Sequence, residues 1–136
     1  MNNNRFSVSL HILTLLATAG EELLSSEYLA GSININPVLV RKELSNLRKH
    51  GMVETREGKA GGSTLAKPAK QILLSDVYAA VRQAPLLGQN KNEPNPSCPV
   101  GKQINKHLND LYTDAEKALT QRLGKTSLLD FVKQFK

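Results

Sequence analysis

The side chains best placed for chemistry are cations and small polar groups at helical spacing. From residue 36 the chain reads NPVLVRKELSNLRKHG. At about 100 degrees per residue, Val38, Lys42, Ser45 and Lys49 form one stripe with Arg41 beside it, while Val40, Leu44 and Leu47 fall opposite. Such a stripe suits a DNA major groove. Its small side chains let the backbone approach, Arg and Lys donate to guanine O6 and N7 or to phosphate, and Val38 can meet a thymine methyl. The same stripe also fits the solvated side of an ordinary amphipathic helix, so the neighbouring elements have to decide.

Those neighbours begin with residues 6–18, where Val8, Ile12, Leu15 and Leu16 recur at helical spacing ahead of Gly20. His11 within that run reads as a packed or partly exposed side chain. Ser25 or Ser26 can cap a short helix through Glu27, Tyr28, Leu29 and Ala30, leaving residues 31–36 for the turn. Asn36 then caps the cationic helix, Pro37 suits its first turn and Gly51 closes it. Short helix, turn and capped helix make a helix-turn-helix. Ser26 and Tyr28 can donate to phosphate near a helix start, although Tyr28 can equally pack.

Residues 52–56 and 63–67 read as two strands around a turn holding Gly58, Lys59, Gly61 and Gly62, which makes a hairpin wing. Lys59 at its tip and Arg56 at its base can reach phosphate or a narrow minor groove. The glycines do not follow the order of a phosphate-cradling loop, and no helix follows them; a plain hairpin turn without a ligand is the other reading. Ser75 and Asp76 open a further helix through Val77, Tyr78, Val81 and Arg82. Residues 83–97, with their prolines and polar residues, form a long mobile linker. A helix over residues 99–123, roughly 35 Å long, carries Ile104, Leu108, Leu111, Tyr112, Ala115 and Leu119 as an apolar seam longer than so small a chain can cover. That seam fits a homodimer interface, while packing on the chain's own core is the other reading. Gly124 breaks this helix, Thr126 or Ser127 caps a last one, and Leu128, Leu129, Phe131, Val132 and Phe135 dock on the body.

Composition narrows the choice. A net charge of +6 favours a polyanionic partner, but the excess is split evenly between residues 1–70 and 71–136. The single cysteine, Cys98, rules out an intrachain disulfide and a cysteine-only metal site within one subunit. No Trp and few aromatics leave no stacking platform for single strands, so duplex DNA is the better polyanion. No 18-residue apolar run and no export signal is present, and a cytoplasmic protein without a membrane partner is expected. No catalytic motif appears and no enzyme is expected. Cys98, at the start of the long helix, is the one candidate redox sensor, against the reading of an incidental thiol.

Several stretches together resemble one family. They are Arg5-Phe6-Ser7-Val8, Leu29-Ala30, residues 44–53 (LSNLRKHGMV), Gly58-x-x-Gly61-Gly62, Leu65-Ala66-Lys67-Pro68 and Ile72-x-Leu74-x-Asp76-Val77. The chain resembles the Rrf2 family of winged helix-turn-helix regulators, most of all its YwnA-like branch. The resemblance implies a mainly α fold with a small β-hairpin: a winged helix-turn-helix domain over residues 1–82, the linker 83–97, and a dimerisation helix with a C-terminal docking helix over 98–136. It implies a homodimeric repressor reading a palindromic operator. Val38, Arg41, Lys42 and Ser45 would face bases, and Lys59, Gly61 and Gly62 would form the wing tip. The full DNA-contacting set expected is Ser26, Tyr28, Asn36, Pro37, Val38, Arg41, Lys42, Ser45, Lys49, Arg56, Lys59, Gly61 and Gly62. Many members carry arginine immediately before the wing glycine, where this chain has Glu57; Arg56, one residue earlier, points the other way by strand alternation. Cluster-binding members carry three cysteines before the long helix, where this chain has Cys98 alone, so no iron-sulfur cofactor is expected. The signal would be thiol-based, through Cys98, or a small-molecule or protein effector near residues 83–97. The competing class is a winged-helix module that binds an acidic protein.

Overall fold

The computed structural model describes residues 4–83, 87–89 and 92–135. In order they form helices α1 (Arg5–Ala19), α2 (Ser26–Ile33) and α3 (Pro37–Lys49), strands β1 (Val53–Arg56) and β2 (Gly62–Leu65), and a 3-10 turn (Ala69–Gln71). Helices α4 (Leu74–Val81), α5 (Pro99–Leu123) and α6 (Leu128–Val132) complete the chain. The mainly helical fold with one antiparallel hairpin agrees with the pattern in the sequence. The mobility expected of linker 83–97 falls in part on residues 84–86, 90 and 91, which lie outside the described residues.

Helix α1 is the centre of the molecule, packed against α2, α3, α4, α6 and β2. The expected stripe lies in or against the core, and the buried surface extends beyond it. Leu10 and Leu13 are buried along with Val8, Ile12 and Leu16, while Leu15 is only half-buried. A helix with neighbours on several sides needs no single apolar face. Thr14, buried in it, donates to the Leu10 carbonyl at 2.7 Å, so its hydroxyl enters the core satisfied.

Helix α2 continues past Ala30, where the sequence suggested a turn. Asn34 takes the left-handed conformation (φ 64°) and its N–H closes on the Ala30 carbonyl at 2.7 Å, so the turn shrinks to residues 34–36. Helix α3 begins and ends where expected. Asn36 accepts from the Val38 amide at 2.9 Å, and Gly51 takes a φ of 75° just beyond its end. Val40, Leu44 and Leu47 are buried, joining Ile12, Leu13, Leu16, Met52, Val53, Ile72 and Val77 in one core.

The hairpin pairs Val53 with Leu65 and Arg56 with Gly62. A third segment joins it: Leu24 and Ser63 exchange backbone hydrogen bonds of 3.0 and 2.8 Å, tying β2 to the residues just before α2.

The C-terminal part returns to the body. The Leu128 amide donates to the Ile72 carbonyl at 2.7 Å, and the Leu128 side chain is fully buried in the core. Ser127 and Asp130 close a capping box around the start of α6. Phe131 and Val132 pack on the core, but Leu129 and Phe135 are exposed, so the five apolar residues expected to dock do so only in part. Helix α6 spans little more than one turn and cannot turn all its side chains to one surface, and Phe135 lies beyond its end, beside Phe131 at 5.3 Å between ring centroids. Gly124 ends α5 in a right-handed conformation, with Thr120 O and Ser75 Oγ 3.2 and 3.4 Å from where a Cβ would sit; crowding, not a left-handed turn, favours glycine there. Helix α5 has no buried residue. It touches α4, where Arg82 meets Glu116 at 2.7 Å.

Candidate nucleic-acid interface

On α3 the outer stripe is available: Val38 is 59% exposed, Lys42 and Lys49 are exposed, and Ser45 is half-buried. Leu39, which the sequence reading passed over, is 50% exposed at the start of the same helix. The stripe stands beside an open cleft of about 480 Å³. One wall is Ser25, Ser26, Arg41, Ser45 and Arg48; the other is the wing, through Thr55, Lys59 and Gly61. Of the residues expected at a DNA surface, Ser26, Arg41, Ser45, Arg56, Lys59, Gly61 and Gly62 therefore gather around one cleft. Val38, Lys42 and Lys49 lie on the helix outside it. Asn36 and Pro37 sit at the helix start, with the Asn36 side-chain oxygen already engaged in the cap.

Tyr28 does not pack inside: it is 59% exposed beside a second hollow lined by Leu15, Thr18, Leu24 and Gly61. Its amide donates to the Ser25 hydroxyl at 3.0 Å, so Ser25, not Ser26, is the cap of α2. Arg41 reaches back to Glu27 at 3.3 Å; both side chains are largely exposed, and the pair is weak. Arg48 was not expected in the cleft. Its place follows from Arg41 and Ser45, since residues three and four apart share a helix face.

The wing glycines serve first to close the protein on itself. A Cβ at Gly61 would run into the Arg56 carbonyl, and one at Gly62 would come within 2.8 Å of the Leu24 carbonyl. Gly58 takes a φ of 100°, in the left-handed region, and its carbonyl accepts from the Gly61 amide at 3.0 Å. Strand alternation separates Arg56 from Thr55 and the buried Ser63. Arg56 accordingly borders a shallow groove with Glu21, Thr64 and Leu65 as well as the cleft.

Away from this face, Cys98 is exposed at the N-cap of α5. The backbone amides of Gly101 and Val100 hold its thiol below the ordinary cysteine value. On α5 the expected seam residues divide: Leu111 is 58% exposed, while Ile104, Leu108, Tyr112, Ala115 and Leu119 are half-buried.

The sequence profile of the Rrf2 family, described as iron-dependent transcriptional regulators, matches residues 2–134. The chain is 39% identical to YwnA of Bacillus subtilis strain 168, described as a candidate HTH-type transcriptional regulator, over 96% of both chains. This chain belongs to the Rrf2 family. As an Rrf2 protein it is a DNA-binding transcriptional regulator, and its relatives are regulators, not enzymes. A solved structure described as a candidate DNA-binding protein is 36% identical and covers 93% of this chain and 97% of its own, with a TM-score of 0.74. At 22% identity, CymR (YrzC) of Bacillus subtilis shares the fold, with a TM-score of 0.72 over all of this chain and 98% of its own. The hairpin is thus the wing of an Rrf2 winged helix. The iron in the family's description does not fit the residues of this member within one subunit. Cys98 is its only cysteine, and no three His, Cys, Asp or Glu residues cluster as metal ligands among the described residues.

Proposed function

We propose that this Rrf2 protein is a homodimeric repressor that reads a palindromic operator, with helix 37–50 in the major groove and wing 56–63 in the adjoining minor groove. The observation that carries the reading is the exposed cationic stripe of α3 beside a cleft walled by the glycine-lysine wing. Residues 1–82 form the DNA-binding unit and 83–97 the linker. Residues 98–136 supply dimerisation, through Ile104, Leu108, Leu111, Tyr112, Ala115 and Leu119, and the docking helix. A two-fold dimer presents two copies of α3 to half-sites about one helical turn, roughly 34 Å, apart. The protein acts in the cytoplasm. Release comes through Cys98, either by exchange with a small disulfide, which leaves a mixed disulfide and frees one thiol, or by a two-electron oxidant such as a peroxide that joins the two subunits' Cys98 thiols, or through a small-molecule or protein effector near residues 83–97.

Selection from a random duplex pool tests the groove reading. The expected product is an inverted repeat whose affinity falls steeply as salt rises, because phosphate contacts release counterions. Lys42→Glu with Ser45→Glu should abolish binding to it while the oligomeric state is kept. Enrichment of no duplex would favour an acidic protein as partner.

A further inference from the structure

The apolar contacts that hold α3, through Val40, Leu44 and Leu47, are non-directional. Their packing limits the rotation of the helix about its own axis, and a directional contact narrows it further. Rotation matters for a helix read at base edges. Side-chain tips lie about 5–6 Å from the axis, so a turn of roughly 20 degrees displaces them by about 2 Å, more than the tolerance of a hydrogen bond.

A directional contact is present on the inner side. Glu43, on the flank of the apolar stripe, is buried and accepts two hydrogen bonds from Arg5, the first residue of α1, at 2.9 and 3.1 Å. Nε and Nη2 of the guanidinium fork each donate to a different oxygen of the carboxylate, which gives the pair an orientation that a point charge lacks. Asn46 supplies a second such contact, donating to the Ala80 carbonyl of α4 at 2.9 Å. Glu43 is turned away from the exposed Val38, Lys42 and Lys49, so it cannot reach a base itself. The Glu43 side chain is 8% exposed and that of Arg5 is 30% exposed, so the pair is only partly buried and its net contribution to stability is small beside the orientation it gives.

We infer that Arg5 and Glu43 are positioning residues that set the rotation of α3 on α1, and through it the aim of Val38, Arg41, Lys42 and Ser45; this rests on the groove reading of α3. The test is the double variant Arg5→Met with Glu43→Met. Three readouts apply: the thermal midpoint, affinity for the selected duplex, and amide hydrogen exchange of α3 and α4. The expected result is a midpoint near the parent's, affinity about tenfold weaker, and faster exchange confined to α3. Arg5→Lys, which keeps the charge without the fork, should fall between the two. Parental affinity in the double variant, or unchanged exchange in α3, overturns the inference. Should the double variant not fold, Glu43→Gln takes its place with the same readouts. A parent that binds no duplex defeats the groove reading instead, and α3 exchange then decides the role of the pair: unchanged overturns it, faster retains it.

Discussion

Cys98 shows how one side chain acquires a property from two backbone amides. Because the Gly101 and Val100 amides favour the thiolate, the thiol ionises at lower pH than a free cysteine, and more of it is nucleophilic at any pH below that range. Its alkylation by iodoacetamide should therefore plateau at lower pH in the folded protein than in a peptide spanning residues 95–101; equal midpoints would remove the effect. The identity of the residue was legible in the sequence, and its helix-start position too. The crowding at Gly61 and Gly62 was not legible in the sequence: they stand against the Arg56 and Leu24 carbonyls, which only the folded chain brings close. Gly61→Ala should then cost about 1–3 kcal/mol, the range for forcing an extra methyl into filled space, seen as a lower thermal midpoint before any ligand is added. Glu43 was missed as well. An acid three residues after Val40 and four before Leu47 carries a local hint of burial, but nothing local names Arg5 as its partner.

Elements whose ends are written in local chemistry were legible. Asn36-Pro37 and Gly51 bound α3, and the limits of α5 match their expected positions. Asn36→Ala leaves the Val38 amide without its acceptor and should cost about 1 kcal/mol, read as a fall in thermal midpoint with faster exchange in the first turn of α3. Where tertiary packing decides, local reading was incomplete. The stripe expected on α1 is buried but widened by Leu10 and Leu13, because five elements surround that helix, and α2 ran through Gly31 because Asn34 could supply the left-handed residue. The 3-10 turn at Ala69–Gln71 carries no pattern of its own and follows from the path between β2 and α4.

Among the described residues, exposed apolar side chains occur on several elements, Val38 and Leu39 on α3 and Phe135 beyond α6 among them; on α5, Val100 and Leu111 are 68% and 58% exposed and no residue is buried. Leu111→Asp should leave the isolated fold intact, because the side chain has little to lose within its own chain. It should shift the protein to monomer in sedimentation and weaken binding to a two-half-site duplex; an unchanged dimer would take Leu111 out of the interface. The bridge between Leu24 and Ser63 has a different kind of consequence. Strand β2 is paired on both sides, to β1 on one and, at Ser63, to the lead-in of α2 on the other. The wing is thereby joined to the helix-turn-helix at a second point, ahead of α2 as well as after α3, so a substitution that loosens the lead-in of α2 should be felt in the wing too.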